Sequence, residues 1–282
     1  MTRPILFVPI IGVLATGCLA ALAGAPQIER RLDRTFTVNS NSSVVVRISG
    51  GPIVVETGPG TTMSLRLDQT VNVASEARAD EVLKEHEISV VEQAGVITLT
   101  ARRHRDDNRR YRRNDPHVRF SATLTVPANV RLDLDTSGGP ITVRGERTAD
   151  VKADTSGGPI TVDGGRGALD LDTSGGPIRV GRALGNLRAD TSGGGITVDY
   201  VGPSATDVSL DTSGGTIRVG VDRQAKFDLS ASTSGGNVRV EGLSFESQTL
   251  RRSRAVGRIN GGGGRLHADT SGGSIEIRGA ER

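Results

Sequence analysis

The sequence is poor in aromatic residues and in cysteine. It has no Trp, two Tyr and five Phe among 282 residues, and its single cysteine is Cys18. A core without large rings must be built from Val, Ile, Leu, Ala and Thr, which favours thin, stacked β-layers over a globule centred on aromatic side chains. A lone cysteine excludes an intrachain disulfide, so stability must come from packing and sheet hydrogen bonds.

The chain also lacks a large excess of charge of one sign. Its formal net charge is +3, and the positive sign comes largely from local Arg clusters. The molecule as a whole is therefore not expected to bind polyanions. Nucleic acid is excluded as an expected partner because almost no rings are present for base stacking.

The first 25 residues have the features of an export signal. Arg3 supplies a positive end, and an apolar run and small residues follow. The stretch L-A-T-G-C that ends at Cys18 is similar to a lipobox and predicts lipidation of Cys18, whereas A-L-A before Gly24 predicts cleavage without a lipid; an uncleaved anchor fits less well because the apolar run is short of a full span. Either cleavage predicts an exported protein of the cell envelope, periplasmic or surface-exposed. Only the first would attach it to the membrane, through a lipid on Cys18.

One nine-residue motif recurs along the chain. Clear copies begin at Asp135, Asp154, Asp172, Asp190, Asp211, Ser232 and Asp269, and the first two read D-T-S-G-G-P-I-T-V. A degenerate early copy, I-S-G-G-P-I-V-V, begins at Ile48. A period of 18 to 21 residues, with one longer interval before the last copy, predicts an all-β, single-chain β-solenoid that resembles a β-helix.

Alternation inside each copy predicts two short strands joined by a corner. Val151 and Ala153 precede the corner of the second copy, and Ile160 and Val162 follow it, at a period of two. The Gly pair at the corner indicates either positive φ or a close approach between stacked backbones. The Asp and Ser that precede the pair are predicted to accept hydrogen bonds from turn N–H groups.

Stacking in register predicts a ladder of like charges. Its members are Asp135, Asp154, Asp172, Asp190 and Asp211. Carboxylates about 4.8 Å apart repel by on the order of 1 kcal/mol per pair even in water. Turn N–H groups are the expected compensation, and bound cations such as Ca²⁺ are the alternative. No metal and no other cofactor is predicted.

Residues 33–131 depart from the period and predict a β-rich cap on the solenoid of residues 132–282. The cap should contain one helix over 75–87, with Ser75 as its N-cap. Its segment 102–115 is predicted to be a solvated loop or, alternatively, an anion-binding segment. The arginines concerned are Arg102, Arg103, Arg105, Arg109, Arg110, Arg112 and Arg113. A second Arg group, at 251–254, falls in the long interval, which is interpreted as an interrupted repeat.

These features together resemble a known bacterial family. The serial T-S-G-G-x-I-x-V motifs, V-P-A-N-V at Val126 to Val130 and I-N-G-G-G-G at Ile259 to Gly264 are similar to those of exported β-strand-repeat proteins labelled "putative adhesins", a domain of unknown function similar to the head domain of some autotransporter adhesins. The resemblance covers roughly residues 33–282. It implies a β-solenoid on the envelope and brings no functional residues with it.

A non-catalytic structural or interaction module is therefore expected, because each motif residue has a structural role. A ligand-binding protein that uses the Arg segment or the Asp ladder is the first alternative, and a β-helix enzyme acting on polysaccharide is the second. The enzyme is disfavoured because His86, His104, His117 and His267 are scattered without metal-ligand spacing. The nearly equal copies also lack the dissimilar environments that an acid and a base require. The sequence names no envelope partner, ligand or oligomeric state.

Overall fold

The computed structural model describes residues 26–104 and 116–281, which are all-β apart from one helix. The N-terminal part contains β1 (Ile28–Thr37), β2 (Ser43–Ile48), β3 (Ile53–Gly58), β4 (Thr62–Val71), α1 (Glu76–Lys84), β5 (His86–Gln93), β6 (Val96–Arg103) and β7 (Val118–Pro127). The repeats contain β8 (Arg131–Thr136), β9 (Ile141–Arg147), β10 (Val151–Thr155), β11 (Ile160–Gly165), β12 (Leu169–Thr173), β13 (Ile178–Ala183), β14 (Leu187–Thr191), β15 (Ile196–Val201), β16 (Asp207–Thr212), β17 (Ile217–Asp222), β18 (Phe227–Thr233), β19 (Val238–Glu241), β20 (Phe245–Arg251), β21 (Arg254–Ile259), β22 (Gly264–Thr270) and β23 (Ile275–Ala280).

The strands form two large sheets. The eleven-stranded sheet has the order β1-β4-β7-β3-β9-β11-β13-β15-β17-β23-β19, and the twelve-stranded sheet has the order β20-β21-β18-β22-β16-β14-β12-β10-β8-β2-β6-β5. From β8 to β17 the chain alternates between the sheets, and each strand pairs in parallel with the strand two places along the chain. Buried side chains of both sheets join in one hydrophobic cluster. We call a strand of the twelve-stranded sheet, its corner and the following strand of the eleven-stranded sheet a unit.

Each unit follows the alternation that the sequence predicts. Along β10 the side chains of Val151, Ala153 and Thr155 are buried, whereas those of Lys152 and Asp154 are exposed. The period of two therefore assigns the apolar residues and Thr to the core and the Asp to the surface. The prediction of two strands and a corner per copy is confirmed.

A threonine hydroxyl joins each corner to the preceding one. Thr155 Oγ1 donates to the carbonyl of Gly139 at 2.9 Å and accepts from the N–H of Gly158 at 3.4 Å. Equivalent pairs of bonds occur at Thr173, Thr191, Thr212, Thr233 and Thr270. The prediction that Asp accepts the turn N–H groups is wrong for these corners, because the alternation points Thr, and not Asp, toward the corner backbone.

Close approach is the reason for the second glycine of each pair. A Cβ on Gly158 would lie 2.1 Å from the carbonyl oxygen of Gly139, whereas a Cβ on Gly157 would have its nearest neighbour at 3.7 Å. Neither glycine has positive φ. The second glycine is therefore required by the distance between stacked backbones, and the first is not.

The order of the units differs from the order of the chain at both ends. The C-terminal unit β22–β23 lies between β16–β17 and β18–β19, and the unit β2–β3 lies between β6–β7 and β8–β9. Periodicity alone predicts neighbours in chain order, so this arrangement needs a physical cause.

Charge in the twelve-stranded sheet favours the inserted position of β22. Arg265 is in register with Asp207 of β16 on one side and with Asp228 of β18 on the other. Its guanidinium makes two bonds to Asp207, at 3.0 and 2.9 Å. Stacking β18 directly on β16 would instead bring the two aspartates together, which is destabilising for cross-strand neighbours.

The eleven-stranded sheet repeats the pattern with opposite signs. Glu276 of β23 is in register with Arg218 of β17 and with Arg239 of β19. Its carboxylate accepts from Arg218 Nε at 3.1 Å. The inserted unit therefore separates two aspartates in one sheet and two arginines in the other.

The long interval before the last copy is a hairpin, so its interpretation as an interrupted repeat is wrong. β20 and β21 pair antiparallel, and β21 pairs antiparallel with β18. The carbonyls of Ser253 and Arg252 accept from Thr233 N at 2.9 Å and from Val238 N at 2.8 Å. The turn of the hairpin therefore lies against the corner of the unit β18–β19, where the corner of another unit would otherwise stack. It lies there because β21 pairs with β18.

The helix is shorter than the predicted 75–87. Ser75 is the N-cap, as expected, and accepts from Arg78 N at 3.4 Å. The helix ends at Lys84, and His86 begins β5 because residues 86–93 pair with β6 through a turn in which Ala94 and Gly95 have φ of 52° and 79°. Pairing with a neighbouring strand overrides the helical pattern here.

One arginine lies inside the molecule, where the N-terminal strands meet the repeats. Arg147 is 0% exposed, and its guanidinium donates to the carbonyls of Val126 at 2.9 Å and Val130 at 2.6 Å. Burial lowers the pKa of Arg147 to about 10, which leaves it charged at neutral pH. Arg147 thus closes the V-P-A-N-V turn that leads from β7 into β8.

We expect the two glycines of a corner to respond differently to alanine. Gly158→Ala should destabilise the protein by about 3 kcal/mol, because its Cβ would overlap the preceding corner. The matched control Gly157→Ala has room and should lie within about 1 kcal/mol of the parent. Urea unfolding followed by circular dichroism measures both, and equal losses would contradict the close-approach explanation.

We also expect the inserted unit to depend on its charges. Arg265→Glu with Glu276→Arg keeps the net charge but places like charges on both sides, and it should cost about 1 to 3 kcal/mol. Amide exchange should then quicken in residues 264–280 more than in β10 to β13. The control Glu56→Arg with Arg144→Glu exchanges the partners of a 3.0 Å ion pair and should have little effect. A uniform change in exchange over all units would argue against this role.

Candidate functional site

Six aspartates form one column on the outer face of the twelve-stranded sheet. The in-register neighbours are Asp135, Asp154, Asp172, Asp190, Asp211 and Asp269, in that order. At about 4.8 Å per strand the column is about 24 Å long. The predicted ladder is confirmed as a register, and Asp269 extends it because its unit is inserted beside Asp211. We call these six residues the Asp column.

Arginine and serine occupy the positions at the two ends of the column. Arg47 is in register with Asp135 and lies 3.8 Å from it through Nε, and its Nη2 is 2.5 Å from Asp133. At the other end Ser232 is in register with Asp269 and donates its hydroxyl to that carboxylate. The copies that depart from Asp in the sequence, at Arg47 and Ser232, are therefore the ones that end the column.

Side chains two positions before the aspartates, on the same outer face, reduce the repulsion between the carboxylates of the Asp column. Arg188 Nη2 lies 2.8 Å from Asp190, and His267 Nε2 lies 3.5 Å from Asp211. Ser209 also donates to Asp211 at 3.0 Å. A guanidinium and a hydroxyl on the same strand as the Asp, and an imidazole on the next strand, thus supply compensation that the sequence prediction had assigned to turn N–H groups.

The compensation is incomplete in the middle of the column. Burial first, and then the neighbouring charges of Asp154 and Asp190, raise the pKa of Asp172. Burial also raises the pKa of Asp135, which Arg47 partly opposes. The carboxylate side chains remain at the surface, so solvent screens much of this repulsion.

A shallow groove of about 280 Å³ runs along the column. Aspartates of the column and the Thr and Ser of the corners line it. Its lining offers carboxylate and hydroxyl oxygens, which can accept hydrogen bonds from cationic groups. None of the described residues that line it is an arginine or a lysine, so cationic ligands fit it better than anionic ones.

A second hollow, of about 520 Å³, lies on the eleven-stranded sheet over Gly181. Arg179 lies 2.7 Å from Asp199 in its wall, and Arg182 lies over the ring of Tyr200 at 5.9 Å from the centroid. Tyr200 is only 5% exposed and donates to Asp222. The ring is therefore not an open platform for a sugar, and the arginines already have partners.

The predicted anion-binding segment is only partly described. Arg102 and Arg103 belong to β6 and lie 3.0 Å from Glu87 and 3.1 Å from Glu85. Arg105, Arg109, Arg110, Arg112 and Arg113 lie outside the described residues, as does Cys18.

Histidines and acids do not gather into a metal site within the described residues. His86 begins β5, where burial lowers its pKa, whereas His267 lies beside the Asp column. The carboxylates of the column stand in a row and do not converge on one point. The described residues also include no helix with the length and apolarity needed to cross a membrane.

Three features of the site were missed by sequence reasoning. The corner hydroxyls were assigned to core positions, although the Thr in every copy was a visible signal for a hydrogen-bonding role. Arg47 stands where later copies have Asp, a signal that alignment of the early copy would have given. No local sequence pattern indicates that Asp269 lies next to Asp211, because this neighbourhood depends on the insertion of the unit β22–β23 beside β16–β17.

Comparison with known proteins gives one family and distant structural similarity. A family model described as Toastrack DUF4097 matches residues 84–278. No curated protein is similar enough to count as a match.

Several solved structures are similar at low identity. A "putative adhesin" from Bacteroides fragilis is 12% identical over 88% of this chain and 97% of that chain, with a TM-score of 0.38. One from Parabacteroides merdae is 11% identical over 89% and 96%, with a TM-score of 0.40. A "putative lipid binding protein" from Parabacteroides distasonis is 12% identical over 89% and 97%, with a TM-score of 0.35.

We expect removal of one carboxylate from the middle of the column to stabilise the protein. A carboxyl whose pKa rises on folding costs stability above that pKa, and the cost disappears as the pH falls through it. Asp172→Asn should therefore gain about 0.5 kcal/mol at pH 7, discounted for exposure, and the gain should shrink as the pH falls through the raised pKa of Asp172.

The matched control is Asp170→Asn on the same strand. Asp170 is in register with Lys152 and Arg188, so its loss should be neutral or destabilising at pH 7. Thermal unfolding between pH 4 and pH 8 measures both variants. A loss of stability in Asp172→Asn at pH 7 would contradict net repulsion in the column.

Proposed function

Because the chain belongs to the Toastrack DUF4097 family, whose activity is unknown, we propose that it is a non-catalytic interaction module of the cell envelope, built as a β-solenoid. Alternation between two sheets, parallel pairing and in-register copies support the solenoid. Its role would be to hold a regular lateral surface toward a partner.

The Asp column is the observation that carries the proposal. It repeats one chemical group at one spacing over six strands, which suits contact with an extended partner. The corner Thr and Gly are used in stacking, so the outward column is what the repeats offer to another molecule.

The uniformity of the copies supports binding over catalysis. A general acid and a general base need environments that separate their pKa values. Within the column, the pKa values of Asp135 and Asp172 are both raised, and for the same first reason, burial. These two carboxyls are therefore shifted in the same direction and do not pair an acid with a base.

The sequence supports the envelope location. The signal-like first 25 residues and the alternative processing at Cys18 or before Gly24 are both consistent with export. The partner would then be an envelope or surface molecule, and a lipid on Cys18 would be the attachment to the membrane.

The second candidate function is binding of cations along the same column. The groove along the column favours it, and so does the pKa of Asp172, which is raised by burial first and then by Asp154 and Asp190, because a bound cation would relieve the repulsion between these carboxylates. Ca²⁺ binds carboxylate and hydroxyl oxygens as ligands. Linear polyamines and basic peptides could bind the same oxygens by donating charge-assisted hydrogen bonds to them.

The test uses the purified protein and the variant Asp154→Asn/Asp172→Asn/Asp190→Asn. Calorimetric titration with Ca²⁺, spermine and oligolysine should show saturable, salt-sensitive binding of a cation, weakened at least about tenfold in the variant. The control Asp163→Asn/Asp170→Asn/Asp199→Asn removes the same charge elsewhere and should bind like the parent.

A turnover assay with acidic and neutral polysaccharides, with and without Ca²⁺, tests the absence of catalysis. We expect no product from any variant. Turnover that disappears in the column variant while its fold is retained would overturn the proposal. Failure of all three cations to bind would remove the second candidate and leave the interaction module to be tested with envelope fractions.

A further inference from the structure

The two sheets end at different places, which gives the molecule stepped ends. At one end β18 and β19 belong to the same unit, and the twelve-stranded sheet continues for two more strands, β21 and β20. At the other end the unit β6–β7 is followed by β5 in the twelve-stranded sheet and by β4 and β1 in the eleven-stranded sheet. The twelve-stranded sheet therefore projects past the other sheet at the first end, and the eleven-stranded sheet projects at the second end.

Exposed large apolar side chains of the described residues occur only at these ends. They are Val91 of β5, 51% exposed, Val96 of β6, 37% exposed, and Leu250 of β20, 59% exposed. Apolar residues on end strands favour association, because their burial removes apolar area from water.

The outer edges of β5 and β20 have no strand beside them within the described residues. β5 reads H-E-I-S-V-V-E-Q and β20 reads F-E-S-Q-T-L-R, so neither contains Pro or Lys. Such residues commonly protect edge strands from pairing with other chains. The edges of the other sheet are better protected, since β1 carries five charged residues and β19 is only four residues long.

The strand directions allow the two free edges to pair. β5 is antiparallel to β6, which runs parallel to the strands of the units. β20 is antiparallel to β21, and β21 is antiparallel to β18, so β20 runs in the direction of the units. β20 of one copy beside β5 of another would thus form an antiparallel pair that extends the twelve-stranded sheet.

One register also matches side chains across such a pair. Leu250 and Ile88 both point toward the core side, because their partners Ala255 and Ala101 are fully buried. Setting Leu250 opposite Ile88 places Arg251 opposite Glu87 on the outer side. At these two positions the pairing joins apolar to apolar and cation to carboxylate, although Glu87 would share its charge with Arg102 of its own chain. Val91 lies on the outer side and would face the polar stretch Glu246 to Thr249 of β20, so it adds no apolar pair.

We propose that the protein associates head to tail with a second copy of itself, by addition of β20 of one copy to β5 of the next. The contact is heterologous, so it leaves a free β5 and a free β20 at the ends and can continue into longer chains. This inference does not depend on the function of the Asp column. A contact of one strand pair is small, so the association should be weak and visible only at high concentration.

Two single substitutions block one end each. Val91→Lys places a charge on β5, and Leu250→Lys places one on β20, both at exposed positions that should leave the fold intact. Thr142→Lys, at an outward position of β9, is the matched control. Circular dichroism and thermal unfolding verify that all three variants fold as the parent does.

Light scattering coupled to size exclusion, and sedimentation at increasing concentration, measure the mass. The parent and Thr142→Lys should grow beyond the monomer with concentration, whereas Val91→Lys and Leu250→Lys alone should remain monomeric. An equimolar mixture of these two variants should give dimers and nothing larger, since it has one usable contact. A parent that stays monomeric, or an end-blocked variant that still dimerises by itself, would overturn the proposal; the latter would indicate a symmetric contact of like edges.

Discussion

The close contact between successive corners is the constraint on which the rest of the structure depends. A Cβ on the second glycine would overlap the preceding carbonyl oxygen, at 2.1 Å for Gly158. The Thr hydroxyl then links the same two corners, so that Thr155 connects Gly139 with Gly158. Because the two devices recur in every copy, they fix both the spacing and the register, and register is what places the aspartates in one column.

Charged side chains affect the stacking of the units in two ways. They alternate in sign at the C-terminal unit, whereas in the Asp column they have the same sign. At the C-terminal unit, Arg265 and Glu276 lie between like charges of the flanking strands, so opposite signs alternate across the units. In the Asp column like charges remain together, relieved by Arg47 at one end, by the Ser232 hydroxyl at the other and by Arg188 beside Asp190. This partial relief is the reason for the proposal that the column contacts a cationic partner.

The ends of the molecule contrast with its middle. In the middle each strand has a partner on both sides, and apolar side chains are covered. At the ends β5 and β20 keep free edges and carry Val91 and Leu250, which are about half exposed or more. The contacts proposed for the lateral surface and for the ends are therefore of two separate kinds, one polar and regular, and one that extends a sheet.

Much of this protein was determined by sequence alone. The period, the two strands of each copy, the membership of the family and the row of aspartates could all be predicted, because they depend on the alternation and the repeat of a nine-residue motif, which are visible in the sequence. Only the tertiary structure decided the hydroxyl bonds of Thr155, the buried position of Arg147, the hairpin at Phe245 to Ile259 and the place of the last unit between two earlier ones. These depend on contacts between residues distant in the chain, such as Asp207 with Arg265, and no local pattern records which strands will be neighbours once like charges must be kept apart.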